Sequence, residues 1–218
     1  MNKEKTSKIG IFGGSFDPPH EAHLEMARIA RERFELERVV FVPCNQNPLR
    51  DITGHASPFH RFVMTQLATL VEDRFMVTPL ELNRGGKSYT IDTLKDFHRT
   101  ECKLFLIMGM DSFQTIDRWK NFEMYPELCE FIIFSRDTEK PGKEIDENIL
   151  KVSHFISGFD MDISSTEIRK KVRLGENLDN SISPMVKVYI EKYELYQHFR
   201  DQNRLINDPI NDFFIKGT

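Results

Sequence analysis

A chain of 218 residues, 39% hydrophobic and 29% charged, has the composition of a globular protein with one substantial core. Its net charge of −4 gives no general attraction to nucleic acid or to an anionic membrane, so neither is an expected partner. Cys44, Cys102 and Cys129 form no Cys-x-x-Cys pair, the first eight residues are polar, and no segment approaches the ~20 apolar residues of a membrane span; a cytoplasmic location is expected.

The first predicted element is a strand over residues 9–12 that runs into Gly13-Gly14. Without a Cβ the backbone turns sharply, and its amides can approach a ligand. After Asp17-Pro18-Pro19, a helical pattern over 20–34 is carried by Leu24, Ala27, Ala30 and Phe34. That register sets His20 and His23 about 60° apart on one face of the first turn. Free amides and the positive end of the helix dipole favour an anion there, so the segment reads as a phosphate site. The plain alternative is a strand, turn and helix with solvated histidines; a metal pair would want further ligands nearby.

Further strands are predicted at 39–42, 75–77, 104–108, 131–134 and 154–156, with helical patterns at 58–71, 90–99 and 113–122 between them. This alternation predicts an α/β fold, a Rossmann-like doubly wound parallel sheet covered on both faces. Helices at 166–174 and 184–196 complete a single domain over 1–199, followed by a polar tail, 200–218, that contains Phe213, Phe214 and Ile215. Residues 45–57 and 136–148 read as long loops of the kind that often cover sites. Ligands of such sheets bind beyond the carboxyl ends of the strands, where strand order reverses. Residues 13–23, 43–50 and 109–119 each follow a strand and are expected to converge on that edge.

Ile163-Ser-Ser-Thr-Glu-Ile-Arg169 opens the helix predicted at 166–174. Ser164 and Glu167 fit a capping box, which is explanation enough for those two residues. Capping does not call for Ser165, Thr166 and Arg169, whose hydroxyls and guanidinium at a helix start suit a polyphosphate.

Gly-Gly-Ser-Phe-Asp-Pro-Pro-His-Glu-Ala-His together with Ile-Ser-Ser-Thr-Glu-Ile-Arg resembles the nucleotidyltransferase superfamily that carries His-x-x-His and Ser-Ser-Thr-x-x-Arg signatures. Within it the chain is similar to the bacterial nicotinate-nucleotide adenylyltransferases, through Arg84-Gly-Gly-Lys-Ser-Tyr-Thr-Ile-Asp-Thr-Leu94 and Met108-Gly-Met-Asp-Ser-Phe113 followed by Trp119; the likeness runs from Lys8 to Tyr196. The resemblance implies transfer of the adenylyl group of ATP to nicotinate mononucleotide, a step of NAD biosynthesis that gives deamido-NAD and pyrophosphate. Mg²⁺ is expected on the ATP phosphates, with no metal held by the protein. The acceptor phosphate is then itself the nucleophile, so alignment and charge stabilisation are the protein's tasks.

By position, the resemblance makes His20, His23 and Arg169 the catalytic residues. It assigns Gly13, Gly14, Ser15, Phe16, Arg50, Ile163, Ser165 and Thr166 to ATP, with Gly109 and Asp111 at the adenosine ribose. Ser88, Tyr89 and Thr90 would border the pyridine, Trp119 would stack on it, and Arg136 would meet the mononucleotide phosphate. Each has a plainer reading: Trp119 as core, Asp111-Ser112 as a helix cap, 88–90 as a helix start and Arg136 as a solvated side chain. Asn47-Pro48-Leu49-Arg50 stands where many members have Pro-Pro-His-Lys, which keeps a cation but changes its shape, and Ala22 replaces a glycine. Nicotinamide mononucleotide, phosphopantetheine or a cytidylyl acceptor, and a non-catalytic nucleotide sensor, are the rival readings; a homo-oligomer is left open.

Overall fold

Six strands rich in Ile, Val, Leu and Phe form one parallel sheet: β1 (Lys8–Gly14), β2 (Arg38–Pro43), β3 (Phe75–Val77), β4 (Lys103–Gly109), β5 (Glu130–Phe134) and β6 (Ser153–Ile156). This computed structural model describes residues 6–49, 55–98, 102–136, 145–178 and 180–197; Arg50 and the tail 200–218 lie outside the described residues. Side chains alternate between two cores, as the strand period of two requires. Val39, Phe41, Phe105, Ile107, Ile132 and Phe134 enter one, and Val40, Val42, Leu104, Leu106, Phe131 and Ile133 enter the other. Because both faces are buried, these strands appear in the sequence as continuous apolar runs.

The first core is closed by α1 (Glu21–Arg33) and α2 (Pro58–Thr69). Beyond α3 (Leu80–Arg84), the second core is closed by α4 (Thr90–His98), α5 (Met110–Phe113), α6 (Tyr125–Leu128) and α7 (Glu147–Lys151). The chain then returns to the first face with α8 (Ser165–Leu174) and α9 (Pro184–Lys192), which contribute Ile168, Val186 and Ile190. Strand order is β3-β2-β1-β4-β5-β6. The winding therefore reverses between β1 and β4, and their carboxyl ends, Gly14 and Gly109, flank the crevice that such a reversal opens.

Three expectations need correction. The helix predicted at 113–122 is instead α5, a 3₁₀ turn Ile116–Arg118, a second 3₁₀ turn Phe122–Met124 and α6. Trp119 is extended and Asn121 is left-handed at φ 51°, which interrupts any continuous helix. The last helix stops at Lys192, before Glu194 and Tyr196 at φ 53° and 69°. The loop expected at 136–148 ends early, because the Asp146 side chain accepts from Asn148 N at 2.8 Å and caps α7; residues 137–144 lie outside the described residues.

Candidate active site

Beyond β1 the chain bends through Phe16 at φ 48°, a conformation a bulky residue adopts only when its surroundings hold it. They do: the Phe16 ring packs 5.6 Å from Phe12, 5.6 Å from Phe41 and 5.0 Å from His23. A Cβ on Gly14 would sit 2.9 Å from the Phe16 ring, so this glycine serves packing. Gly13 has no atom within 4 Å of where a Cβ would stand, which leaves its backbone open to a ligand.

His20 is the N-cap residue of α1 and His23 lies in its first turn. Their rings stack with centroids 3.7 Å apart, and His23 Nδ1 accepts from the His20 backbone amide at 3.2 Å. Burial lowers the His20 pKa to about 4. Burial, and then the nearness of His20, put His23 well below its ordinary value. Both rings are therefore neutral near pH 7. A neutral ring with Nδ1 accepting carries its proton on Nε2, so His23 offers Nε2–H as a donor. His20 Nδ1 is buried with no hydrogen-bond partner among the described residues.

The second signature reaches the first across the fold. Ser164 caps α8 by accepting from Glu167 N at 3.2 Å, as its sequence predicts. Ser165 Oγ donates to Pro18 O at 2.9 Å, and Arg169 Nη1 donates to Asp17 O at 2.7 Å. Arg169 Nη2 also donates to Thr166 Oγ1 at 3.4 Å. The α8 N-terminus is thus fastened beside the histidine turn, with its amides, Thr166 and Arg169 at one place. Ile163 packs against the first core just ahead of it.

Asp17, 1% exposed, holds this junction. Its Oδ1 accepts from Ala56 N at 3.1 Å and from the Tyr196 hydroxyl at 2.6 Å; its Oδ2 lies 2.7 Å from His55 Nδ1 and 3.8 Å from Arg169 Nη1. Burial, then the Asp17 charge, drive the Tyr196 pKa well above its usual value, which keeps that hydroxyl a donor.

A second group of loops lies beyond β2. Cys44 N donates to Gly14 O at 2.9 Å, Asn45 N to Ser88 Oγ at 2.8 Å, Asn45 Nδ2 to Gly86 O at 2.9 Å, and Ser88 N to Gln46 O at 2.8 Å. The Ser88 hydroxyl also bonds Glu81, a buried carboxylate that accepts from Thr93 Oγ1 at 2.6 Å. The Ser88 hydroxyl and amide are thus both engaged within the protein. Thr90 opens α4, where Lys120 Nζ pairs with Asp92 at 3.1 Å and covers the Tyr89 ring at 4.6 Å. Trp119 is half-buried against the second core, its ring 5.9 Å from Tyr125. Gly109 and the exposed Asp111 stand at the end of β4. Arg136 beyond β5 is exposed and pairs at 3.2 Å with Asp162, the residue just ahead of Ile163.

Residues 11–171 match the cytidylyltransferase-like family. The probable nicotinate-nucleotide adenylyltransferase of Thermoanaerobacter sp. is 34% identical over 204 residues, spanning 89% of this chain and 96% of that protein. The Thermus thermophilus protein of the same name is 38% identical over 192 residues, spanning 87% and 100%. The chain belongs to the cytidylyltransferase-like family, in its nicotinate-nucleotide adenylyltransferase branch. The fold is shared with Plasmodium falciparum nicotinic acid mononucleotide adenylyltransferase complexed with NaAD, at a TM-score of 0.71 and 25% identity over 87% of this chain and 97% of that one. The same enzyme complexed with APC superposes at a TM-score of 0.68.

Around this candidate site, sequence reasoning missed Arg61, His55, Asn45 and Tyr196, which the structure places in its hydrogen-bond network. Only Arg61 left a local signal: with Met64 and Ala68 it occupies the i, i+3, i+7 positions of the buried face of α2, where a cation is out of place without partners.

Proposed function

We propose that the protein transfers the adenylyl group of ATP to nicotinate mononucleotide, forming deamido-NAD and pyrophosphate. The observation that carries this reading is the meeting of the neutral histidine stack of α1 with the N-terminus of α8 and Arg169, joined through Asp17-Pro18 at the sheet's switch point. That is a donor array suited to a triphosphate. Relatives bearing the name of this activity, at 34% and 38% identity over nearly their whole length, supply the acceptor.

An oxygen of the acceptor phosphate attacks the α-phosphorus of ATP. The bond from that phosphorus to the β-bridging oxygen breaks, and pyrophosphate leaves with the electron pair. Little covalent work falls to the protein, whose part is alignment and charge stabilisation. His23 Nε2–H and the His20 ring donate to the phosphates between which the bond breaks. The α8 amides, Ser165, Thr166 and Arg169 hold the β- and γ-phosphates as charge builds on the leaving group. Gly13 to Phe16 and Ile163 border the nucleotide, with Gly109 and Asp111 at its ribose. Backbone at Ser88 to Thr90 and the Trp119 face receive the pyridine, and Arg136 releases Asp162 to meet the mononucleotide phosphate.

Mg²⁺ would enter with ATP as substrate and would supply charge neutralisation for the phosphates. Among the described residues no group of three or more His, Cys, Asp or Glu side chains is placed to hold a metal ion. Labelled ATP tests the reaction class. Label at the α-phosphate should appear in the dinucleotide and label at the γ-phosphate in pyrophosphate; γ-label in inorganic phosphate would contradict it.

A further inference from the structure

A guanidinium that is 5% exposed calls for an explanation, and Arg61 of α2 has an unusual set of partners. Nη1 donates to Ser15 O at 2.8 Å and to Cys44 Sγ at 3.6 Å, Nη2 to Asn45 O at 2.9 Å, and Nε to Ala56 O at 3.2 Å. All four acceptors are uncharged, and among the described residues no carboxylate lies within ion-pair distance of Arg61. They belong to two loops: Ser15 follows β1, whereas Cys44, Asn45 and Ala56 lie on the connection from β2 to α2.

The acceptors connect further. Asn45 passes the contact on, its N–H to Ser88 Oγ, and the Ser88 hydroxyl bonds Glu81. Ala56 offers its carbonyl to Arg61 and its N–H to Asp17. A buried cation is thereby joined through one residue to the Asp17 junction and through two residues to Glu81. One end of this chain is the turn assigned to ATP, and the other is the turn assigned to the pyridine.

We propose that Arg61 is a positioning residue for adenylyl transfer, clamping the nucleotide loop at Ser15 to the acceptor loop at Ser88 so that the two bound substrates meet in line. The inference rests on the assignment of those loops to ATP and to the mononucleotide. A planar fork with donors fixed in direction can hold Ser15 O and Asn45 O at once. An ammonium has three donors, but all on one nitrogen at the end of a flexible stem, and so lacks the spread and fixed direction with which the fork spans the two carbonyls. Each substrate would keep its own loop when the fork is lost, and the loss would fall on their mutual placement. Misplacement of reacting groups by an ångström costs on the order of a hundredfold in rate.

The decisive comparison is Arg61→Lys against wild type. It uses kcat at saturating MgATP and mononucleotide, the Kd of a non-hydrolysable ATP analogue measured alone, and thermal melting to hold the assay below the transition. A kcat lower by about tenfold or more, with the analogue's Kd within about threefold, is the expected result. A kcat within about twofold of wild type overturns the proposal, as does a loss expressed wholly in the analogue's Kd. A merely structural Arg61 would lower the melting temperature and leave kcat below the transition intact. Ser88→Ala breaks the same chain nearer the surface and decides the matter where Arg61→Lys does not fold: a several-fold fall in kcat is expected and wild-type kcat overturns the proposal. In the double variant the losses should not multiply, because both cut one chain. Wild type that binds the ATP analogue but makes no dinucleotide from nicotinate mononucleotide speaks against the acceptor assignment; the clamp is then read with the acceptor wild type does use.

Discussion

A histidine buried without an anionic partner resists protonation, and the cost of that resistance appears in stability. The folded-state pKa of His20 is about 4, against ~6.5 for an unperturbed histidine in the unfolded chain. Between those values the unfolded chain binds more protons than the native one, so stability rises with pH through the window and is fully present above it. Falling from pH 7 to pH 4 removes roughly 3 kcal/mol on account of His20 alone. His23, depressed in the same direction, adds to the loss. Urea unfolding of the ligand-free protein across this range should show the decline, and His20→Gln should flatten it; an unchanged slope in that variant would rule out His20 as the source. The histidine pair was legible from its three-residue spacing. The partners of Asp17 were not, since Ala56, Arg169 and Tyr196 stand 39, 152 and 179 residues away, and no local period encodes such distances.

At the scale of elements, the first turn of α8 separates two uses of serine. Ser164 caps the helix through Glu167 N, whereas Ser165 fastens it to Pro18 O and faces the phosphate turn. Ser164→Ala should lower stability by about 1 kcal/mol and leave the KM for ATP within twofold. Ser165→Ala should raise that KM several-fold at a similar cost in stability. Equal kinetic effects of the two changes would contradict the division. This helix was readable because capping chemistry is local: a hydroxyl, then a carboxylate three residues on. The segment from Phe113 to Phe122 misled for the converse reason. Phe113 and Ile116 have helical spacing and are buried, yet a left-handed Asn121 and an extended Trp119 turn the chain, with Trp119 held against the second core. Short α3 and α7, five residues each, offer too few turns for a period to show.

Over the whole molecule, an acidic protein gathers its useful cations and amides at one edge. Winding outward from β1 to β3 and then from β4 to β6 brings the ends of β1, β2 and β4 together, and the site is assembled from loops more than 150 residues apart in sequence. The parallel sheet and its reversal followed from apolar runs alternating with amphipathic helices. The junction that turns those loops into one site, Asp17 with Arg169 on one side and Arg61 on the other, depends on buried hydrogen bonds that composition and spacing do not reveal. What the edge accepts is the central question. Pyrophosphate release from MgATP with nicotinate mononucleotide, run beside nicotinamide mononucleotide and phosphopantetheine, answers it most directly. Release chiefly with the nicotinate compound is the predicted result; preference for another acceptor, or no release with any of them while ATP still binds, would contradict the account.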